Sequence, residues 1–199
     1  FINIEEIHTT NLGDRVIGTD DADTMIGGDG NDSIEAGTGV DFVEGGKGDD
    51  HVFGGGGGDQ LRGGDGNDMI DAMNGNDYVY GGVGDDMLIG SGGRDRLRGN
   101  KGNDTMEGGR HNDFLQGGDG ADVFVFNTNE GAWGKDFIKD FEVGVDKVIV
   151  EGFTSDDVVW KNTKDGASVL AIFKNGGKIV FNNLDREDLN DFAGWDFIG

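Results

Sequence analysis

One apolar residue in every nine runs without a slip through the middle of the chain. Met25, Ile34, Val43, Val52, Leu61, Ile70, Val79, Leu88, Leu97, Met106, Leu115 and Phe124 hold that column. Two residues before each of them stands an aspartate: Asp23, Asp32, Asp41, Asp50, Asp59, Asp68, Asp77, Asp86, Asp95, Asp104, Asp113 and Asp122. Glycine and short polar residues fill the rest. Residues 18–125 are therefore twelve copies of one nine-residue phrase, clearest in GGDGNDSIE (27–35), GGKGDDHVF (45–53) and GGVGDDMLI (81–89). A fixed period of this kind outranks local propensity. A flexible glycine linker or an acidic disordered tail would show no phase relation between the columns.

Each copy divides in two. Positions 1–6 carry turn chemistry, with glycine at 1, 2 and 4 permitting positive φ and close backbone approach. Positions 7–9 form a minimal strand with one inward side chain. Three residues of strand bury nothing alone, but stacked copies bury a continuous column. The pattern predicts an all-β fold, a parallel β-roll. This is a right-handed solenoid of 18-residue coils with one three-residue strand on each side. Coils stacked at ~4.8 Å make six of them roughly 29 Å long.

In such a roll the aspartates form two files, one along each edge, one strand spacing apart. Carboxylates that close cannot all stay ionised without compensation. A hard divalent cation between neighbouring turns resolves this, and calcium takes six to eight oxygens from carboxylates and main-chain carbonyls. The soft alternatives have little to bind: the chain has no cysteine and three histidines, His8, His51 and His111.

The phrase GGxGxDxUx, with U a large apolar residue, resembles the RTX (repeats-in-toxin, hemolysin-type) calcium-binding repeats of secreted bacterial proteins. In that family one turn gives the carbonyls of positions 2 and 4 with its aspartate. The turn 18 residues later gives the carbonyls of positions 1 and 3 with its own. Along one edge the resemblance implies that Gly28, Gly30 and Asp32 face Gly45, Lys47 and Asp50. Gly46, Gly48 and Asp50 then face Gly63, Asp65 and Asp68, and Gly64, Gly66 and Asp68 face Gly81, Val83 and Asp86. Next come Gly82, Gly84 and Asp86 against Gly99, Lys101 and Asp104, then Gly102 and Asp104 against Gly117, Asp119 and Asp122. Along the other edge Asp23 faces Asp41, and Gly37, Gly39 and Asp41 face Gly54, Gly56 and Asp59. Gly55, Gly57 and Asp59 face Ala72, Asn74 and Asp77. Gly75 and Asp77 face Gly90, Gly92 and Asp95, and Gly93 and Asp95 face Gly108 and Asp113. Lys47 would act through its carbonyl. Two files of six leave ten gaps, hence up to about ten calcium ions. The first gap is expected to be the poorest, because position 4 there is Asp21; His111, Ala36, Ala72, Ser91 and Asn100 are other departures.

Composition sharpens the picture. The chain has 199 residues, a net charge of −24 and 34% hydrophobic content, and 31 of its 41 glycines lie in the repeat. Such acidity repels nucleic acid and anionic membranes and attracts cations. With no cysteine, no disulfide supports the fold. No apolar run approaches 18 residues, so no membrane insertion is expected, and the start carries no signal-peptide pattern. The chain begins at Phe1 rather than methionine, and we expect a fragment of something longer.

Residues 1–17 read as an N-terminal cap, with Ile2, Ile4 and Ile7 suggesting a strand and Asp14 and Val16 a degenerate copy. Residues 18–126 are the roll, and 127–199 a β-rich cap with a secretion signal. In that last part, DFIKDFEVGVDK (136–147) resembles the block that follows the repeats in serralysin-type proteases and alginate epimerases. Strands are expected at 147–150, 158–160, 168–173 and 178–181, a hairpin turn at Asn175-Gly176-Gly177 and a short helix at 185–192. The ending Asp196-Phe197-Ile198-Gly199 is similar to uncleaved signals for type I secretion machinery.

Outward positions distinguish the two sheets. One shows an Arg62, Tyr78, Tyr80, Arg96, Arg98 strip, which is either a contact for acidic (uronate) polysaccharide or plain cross-strand pairing. The other shows Phe53, Met69, Met87 and Ile89, expected to be covered by the C-terminal segment or an upstream domain. Catalytic motifs are absent: there is no HExxH, no GxSxG and no cysteine. The reading is a non-enzymatic calcium-binding module, secreted and extracellular, unfolded without calcium. Its alternatives are a polysaccharide-binding module, or the C-terminal part of a secreted protease, lipase or mannuronan epimerase whose catalytic or adhesive domain lies upstream.

Overall fold

A computed structural model describes residues 7–8, 11–127, 134–152, 154, 158–162, 168–174, 176–182 and 195–198. Every strand pair of the roll joins residue i to residue i+18 in parallel, as in Val43↔Leu61 and Val79↔Leu97. The nine-residue column of apolar side chains is the core: all twelve members are at most 1% exposed. Alternation does this directly, since position 8 faces the opposite sheet, and position 1, two residues on, is buried beside it as at Ala36 and Ala72.

The two sides are not equal three-residue strands. One sheet is built from six-residue strands, Thr24–Asp29, Phe42–Lys47, Gln60–Asp65, Tyr78–Val83, Arg96–Lys101 and Phe114–Asp119. There the first three residues of the following copy keep pairing, through Gly28↔Gly46 and Asp29↔Lys47 and their equivalents. The facing sheet keeps the expected length, as in Ser33–Glu35, His51–Phe53 and Met69–Asp71. On its far edge pairing resumes only at positions 3 and 4, giving a third, four-stranded sheet of Thr38–Gly39, Gly56–Gly57, Asn74–Gly75 and Gly92–Gly93. Position 2 has positive φ on both edges, from 84° at Asn100 to 134° at Gly82 on the first and from 66° at Ser91 to 106° at Gly37 on the second, so the two edges overlap in φ and differ in where pairing resumes.

Ile7–His8 pairs with Met25 and Ile26, and Val16 extends the core. Both large sheets run on past the repeats. Lys135–Ile138 stacks on Phe114–Asp119, Lys178–Asn182 stacks on Lys135–Ile138, and Ser168–Phe173 and Val158–Asn162 follow antiparallel. On the other side Lys147–Glu151 stacks on Val123–Asn127, and Trp195–Ile198 on Lys147–Glu151. The four expected C-terminal strands are thus present. Gly176 makes the hairpin turn with φ 97° and donates its N–H to the Phe173 carbonyl. Phe141 closes the core, 6.0 Å from Phe124 and edge-on to Phe181 at 5.2 Å. Ile2, Ile4 and the helix expected at 185–192 lie outside the described residues. Among those described, no helix is long and apolar enough to cross a membrane.

Candidate metal centre

Each repeat aspartate from Asp32 on ties its turn to the coil before. The N–H of Asp32 donates to Asp50 Oδ1 at 2.8 Å, Asp50 to Asp68 at 2.8 Å, Asp68 to Asp86 at 2.9 Å and Asp86 to Asp104 at 2.9 Å. On the other edge Asp41 donates to Asp59, Asp59 to Asp77 and Asp77 to Asp95 in the same way. The carboxylates are at most 3% exposed. One oxygen of each is therefore used. The other has no partner: Oδ1 of Asp23 and Oδ2 of the remaining eleven are buried without a hydrogen bond.

The glycines explain how the carboxylates fit. A Cβ on the position-1 glycine would strike the aspartate of the same turn, as at Gly63 with Asp68 Oδ2 and Gly99 with Asp104 Oδ2. A Cβ at position 2 or 4 would strike the carbonyl oxygen one coil back, as Gly46 with Gly28 and Gly66 with Gly48. Main-chain carbonyls thus line the space between turns. Some already serve the backbone: Lys47 O accepts from Gly30 N–H at 2.7 Å, and Gly55 O from Asn74 N–H at 2.9 Å. A carbonyl has a second lone pair and can accept again.

Electrostatics follow from burial. Desolvation, then repulsion from neighbouring aspartates, pushes Asp41 and Asp50 up to about 6, Asp86 to about 7 and Asp95 to about 8. The N–H donated by the previous coil opposes this only partly. A buried carboxylate lacking a countercharge is costly. Among the described residues no three His, Cys, Asp or Glu side chains gather as a metal cluster. Any ion held here must draw on two aspartates and a majority of main-chain oxygens. That is a hard, flexible, oxygen-only donor set, which suits calcium and not zinc or copper.

These features coincide with a sequence signature. The family model of the RTX calcium-binding nonapeptide repeat matches residues 8–43, 17–52, 53–88 and 89–124. The chain belongs to the RTX repeat family. No curated protein matches it. Among solved structures it is similar to the extracellular lipase LipA from Serratia marcescens, at 18% identity and a TM-score of 0.36, covering 96% of this chain and 42% of that one. It is also similar to the AlgE6R3 subunit from the Azotobacter vinelandii mannuronan C5-epimerase, at 17% identity and a TM-score of 0.36, covering 94% of this chain and 79% of that one. The chain thus spans less than half the length of the lipase.

The RTX residues named from the sequence are brought together in pairs of turns 18 apart, so that Asp32 and Asp50 share one edge and Asp59 and Asp77 the other. The Lys47 ammonium points away, 3.2 Å from Asp29, leaving only its backbone for the turn. At the N-terminal end, Asp23 Oδ2 is taken by the Thr19 N–H and hydroxyl at 2.6 and 2.9 Å. Sequence reasoning missed Met73, a fourth non-glycine residue forced to positive φ beside Ser91, Asn100 and His111. It also missed a side-chain ladder at position 5, and Asp136 and Asp146, which receive the N–H groups of Asp113 and Asp122. The half-phrase G-x-D-x-U-x at 134–139 and 144–149 was the available signal.

The outward strip is largely occupied with itself. Arg96 donates to Tyr78 Oη at 2.6 Å, and Arg62 lies over the Phe42 ring at 4.9 Å and the Tyr80 ring at 5.7 Å. Beside it, Tyr78, Tyr80, Arg98, Phe114 and Gln116 border a shallow depression of about 80 Å³. On the opposite sheet Met87 is 45% exposed. The described C-terminal strands extend that sheet at its end and do not lie across the apolar strip.

Proposed function

We propose that the chain is a calcium-switched folding module of a secreted bacterial protein. The observation that carries this reading is the set of twelve buried carboxylate oxygens with no partner. Bound calcium would supply the positive charge that lets neighbouring carboxylates stay ionised inside the roll, with their oxygens and the turn carbonyls as its ligands. The chain's own part is to hold pairs such as Asp50 and Asp68, or Asp59 and Asp77, one coil apart, with carbonyls of the glycine turns around them. The ligand pairs implied by the family resemblance are the residues we assign, with up to about ten ions.

The switch follows from mass action. With millimolar calcium outside the cell and a site Kd of ~10⁻⁴ M, each site adds about 1.4 kcal/mol. Ten such sites add on the order of 10 kcal/mol, comparable to a whole domain's stability. At sub-micromolar calcium that contribution vanishes. The chain stays unfolded inside, passes type I secretion machinery and folds outside. Circular dichroism with calcium and with excess chelator tests this at neutral pH and low salt. The expected result is a strand spectrum that collapses on chelation; an unchanged spectrum removes the proposal.

A second reading is supported by the depression beside Arg98, where a guanidinium, two tyrosines and a glutamine meet. It would suit a uronate chain. Titration with alginate oligomers against an Arg96→Ala, Arg98→Ala variant tests it, and equal binding disposes of it. Whether the module serves a secreted lipase, protease or epimerase is tested by sequencing the full gene that encodes it.

A further inference from the structure

The aspartate files do not stop where the nonapeptide does. Asp113 N–H donates to Asp136 Oδ1 at 2.9 Å across 23 residues, the same bond that Asp104 makes to Asp122 across 18. Gly134 lies over His111 of the coil before, as position-4 glycines lie over one another, though without their positive φ. Its N–H donates to the His111 carbonyl at 2.6 Å, and a Cβ there would strike that oxygen. Lys135 N–H donates to Asn112 Oδ1 at 2.7 Å, and Phe137 and Ile138 pair with Phe114 and Leu115. Residues 134–139, GKDFIK, are therefore positions 4–9 of the phrase, reached after a longer connection. Asp113 and Asp136 are each 1% exposed, and Asp113 Oδ2 is buried with no partner.

We propose that the gap between Asp113 and Asp136 is a further site for a hard divalent cation, calcium, which fastens the non-repeat strand Lys135–Ile138 to the roll. The inference rests on the reading of the aspartate files as calcium-holding. It places a site past residue 124, where the repeat match ends. The donors are the two carboxylates with main-chain carbonyls of the 108–112 turn. The other file ends differently. Asp122 N–H donates to Asp146 Oδ1 at 3.0 Å, but Asp146 Oδ2 accepts from Glu142 N–H at 2.8 Å, and nothing lies within 4 Å of a Cβ built on Gly144. There Asp122 Oδ2 is buried without a partner, as Asp113 Oδ2 is, but both oxygens of the second carboxylate are committed to hydrogen bonds, so we assign that end no ion. Calcium thus reaches into the C-terminal region along one edge only.

The test counts calcium ions per full chain by native mass spectrometry and follows amide exchange at 134–139 with and without calcium. Asp136→Asn keeps the Oδ1 acceptor for Asp113 N–H and removes the charge. The expected result is one ion fewer than wild type and at least tenfold faster exchange at 134–139 in calcium. Amides of Phe42–Lys47 and Gln60–Asp65 stay protected, which shows that the roll is folded. Asp146→Asn keeps the wild-type ion count. A wild-type count and wild-type protection in Asp136→Asn overturn the proposal while leaving the roll's own sites standing. A lost ion in Asp146→Asn overturns the stated difference between the two ends. A wild-type chain that binds no calcium removes the underlying reading instead.

Discussion

The two edges of the roll are written in the same phrase and built differently. The edge of Asp32, Asp50, Asp68, Asp86, Asp104 and Asp122 has glycine at positions 1, 2 and 4 of all six turns, except Asn100. The edge of Asp23, Asp41, Asp59, Asp77, Asp95 and Asp113 departs at Thr19, Asp21, Ala36, Ala72, Met73, Ser91 and His111. On the first edge position 5 forms an unbroken ladder. Asn31 Oδ1 accepts from Asp49 N–H, Asp49 from Asn67, Asn67 from Asp85, Asp85 from Asn103 and Asn103 from Ala121, at 2.7–3.1 Å. On the second, position 5 includes Ala22, Val40, Gly58 and Arg94, and only Asn76 and Asn112 make the bond. That edge has only the backbone pairing of its small third sheet, whereas the first edge has both backbone pairing and the ladder. Where side chains add to the backbone pairing, the glycine pattern is kept strictly. Where the backbone acts alone, the pattern is looser and strained residues are carried.

The largest effect expected from this comparison comes from neutralising one aspartate in the middle of each file. Asp68→Asn and Asp77→Asn each keep an Oδ1 acceptor but break a charge arrangement buried in the roll, which costs roughly 3–5 kcal/mol. We expect the larger loss at Asp68, because the Asp77 turn already carries Ala72 and the strained Met73. Thermal melts in saturating calcium measure it, and equal losses break the comparison.

Next is pH, with calcium absent. Burial raises the folded-state value of Asp50 to about 6, of Asp86 to about 7 and of Asp95 to about 8, above the unfolded value near 3.8. Groups raised in this way favour the folded state fully below the unfolded value, and that contribution is lost as pH rises through the folded values. The calcium-free chain should therefore gain strand signal near pH 4 and lose it between about pH 6 and 8. A flat circular dichroism signal across that range contradicts the burial argument.

Met73→Gly should stabilise the second edge by about 1 kcal/mol. A non-glycine residue at φ 67° pays that much, and a 40% exposed side chain returns little of it. Gly58→Asn is the smallest and sharpest change. Gly58 has an ordinary φ, and a Cβ there would meet nothing nearer than Asn76 O at 3.6 Å. An asparagine amide can then accept from Asn76 N–H and transplant one rung of the ladder, worth about 0.5–1.5 kcal/mol. A melting temperature that does not rise would show that position 5 is not what separates the edges.

Much of this was legible in advance because a period of nine admits one stacking solution. The core column, the two aspartate files and the pairing of residue 43 with 61 follow from counting. The unequal strands were not legible. They depend on whether backbone pairing continues through positions 2 and 3 or resumes only at 3 and 4, and both edges are written with the same glycine phrase. The ladder was hidden because Asn and Asp at position 5 look like ordinary turn residues until the next amide is placed over them. Asp136 and Asp146 were hidden by longer connections of 23 and 24 residues, which break the count without breaking the stack.

A reach of 18 residues, repeated at every pairing, makes the roll a growth process more than a single collapse. Each turn of the spiral is cast on its predecessor and offers the same raw edge to its successor, so order can advance along the chain like a closing zip. Such a rod lengthens or shortens by whole turns at little disturbance to the rest. Phe141, wedged between Phe124 and Phe181, is where the even count of whole turns hands over to the irregular strands stacked beyond it.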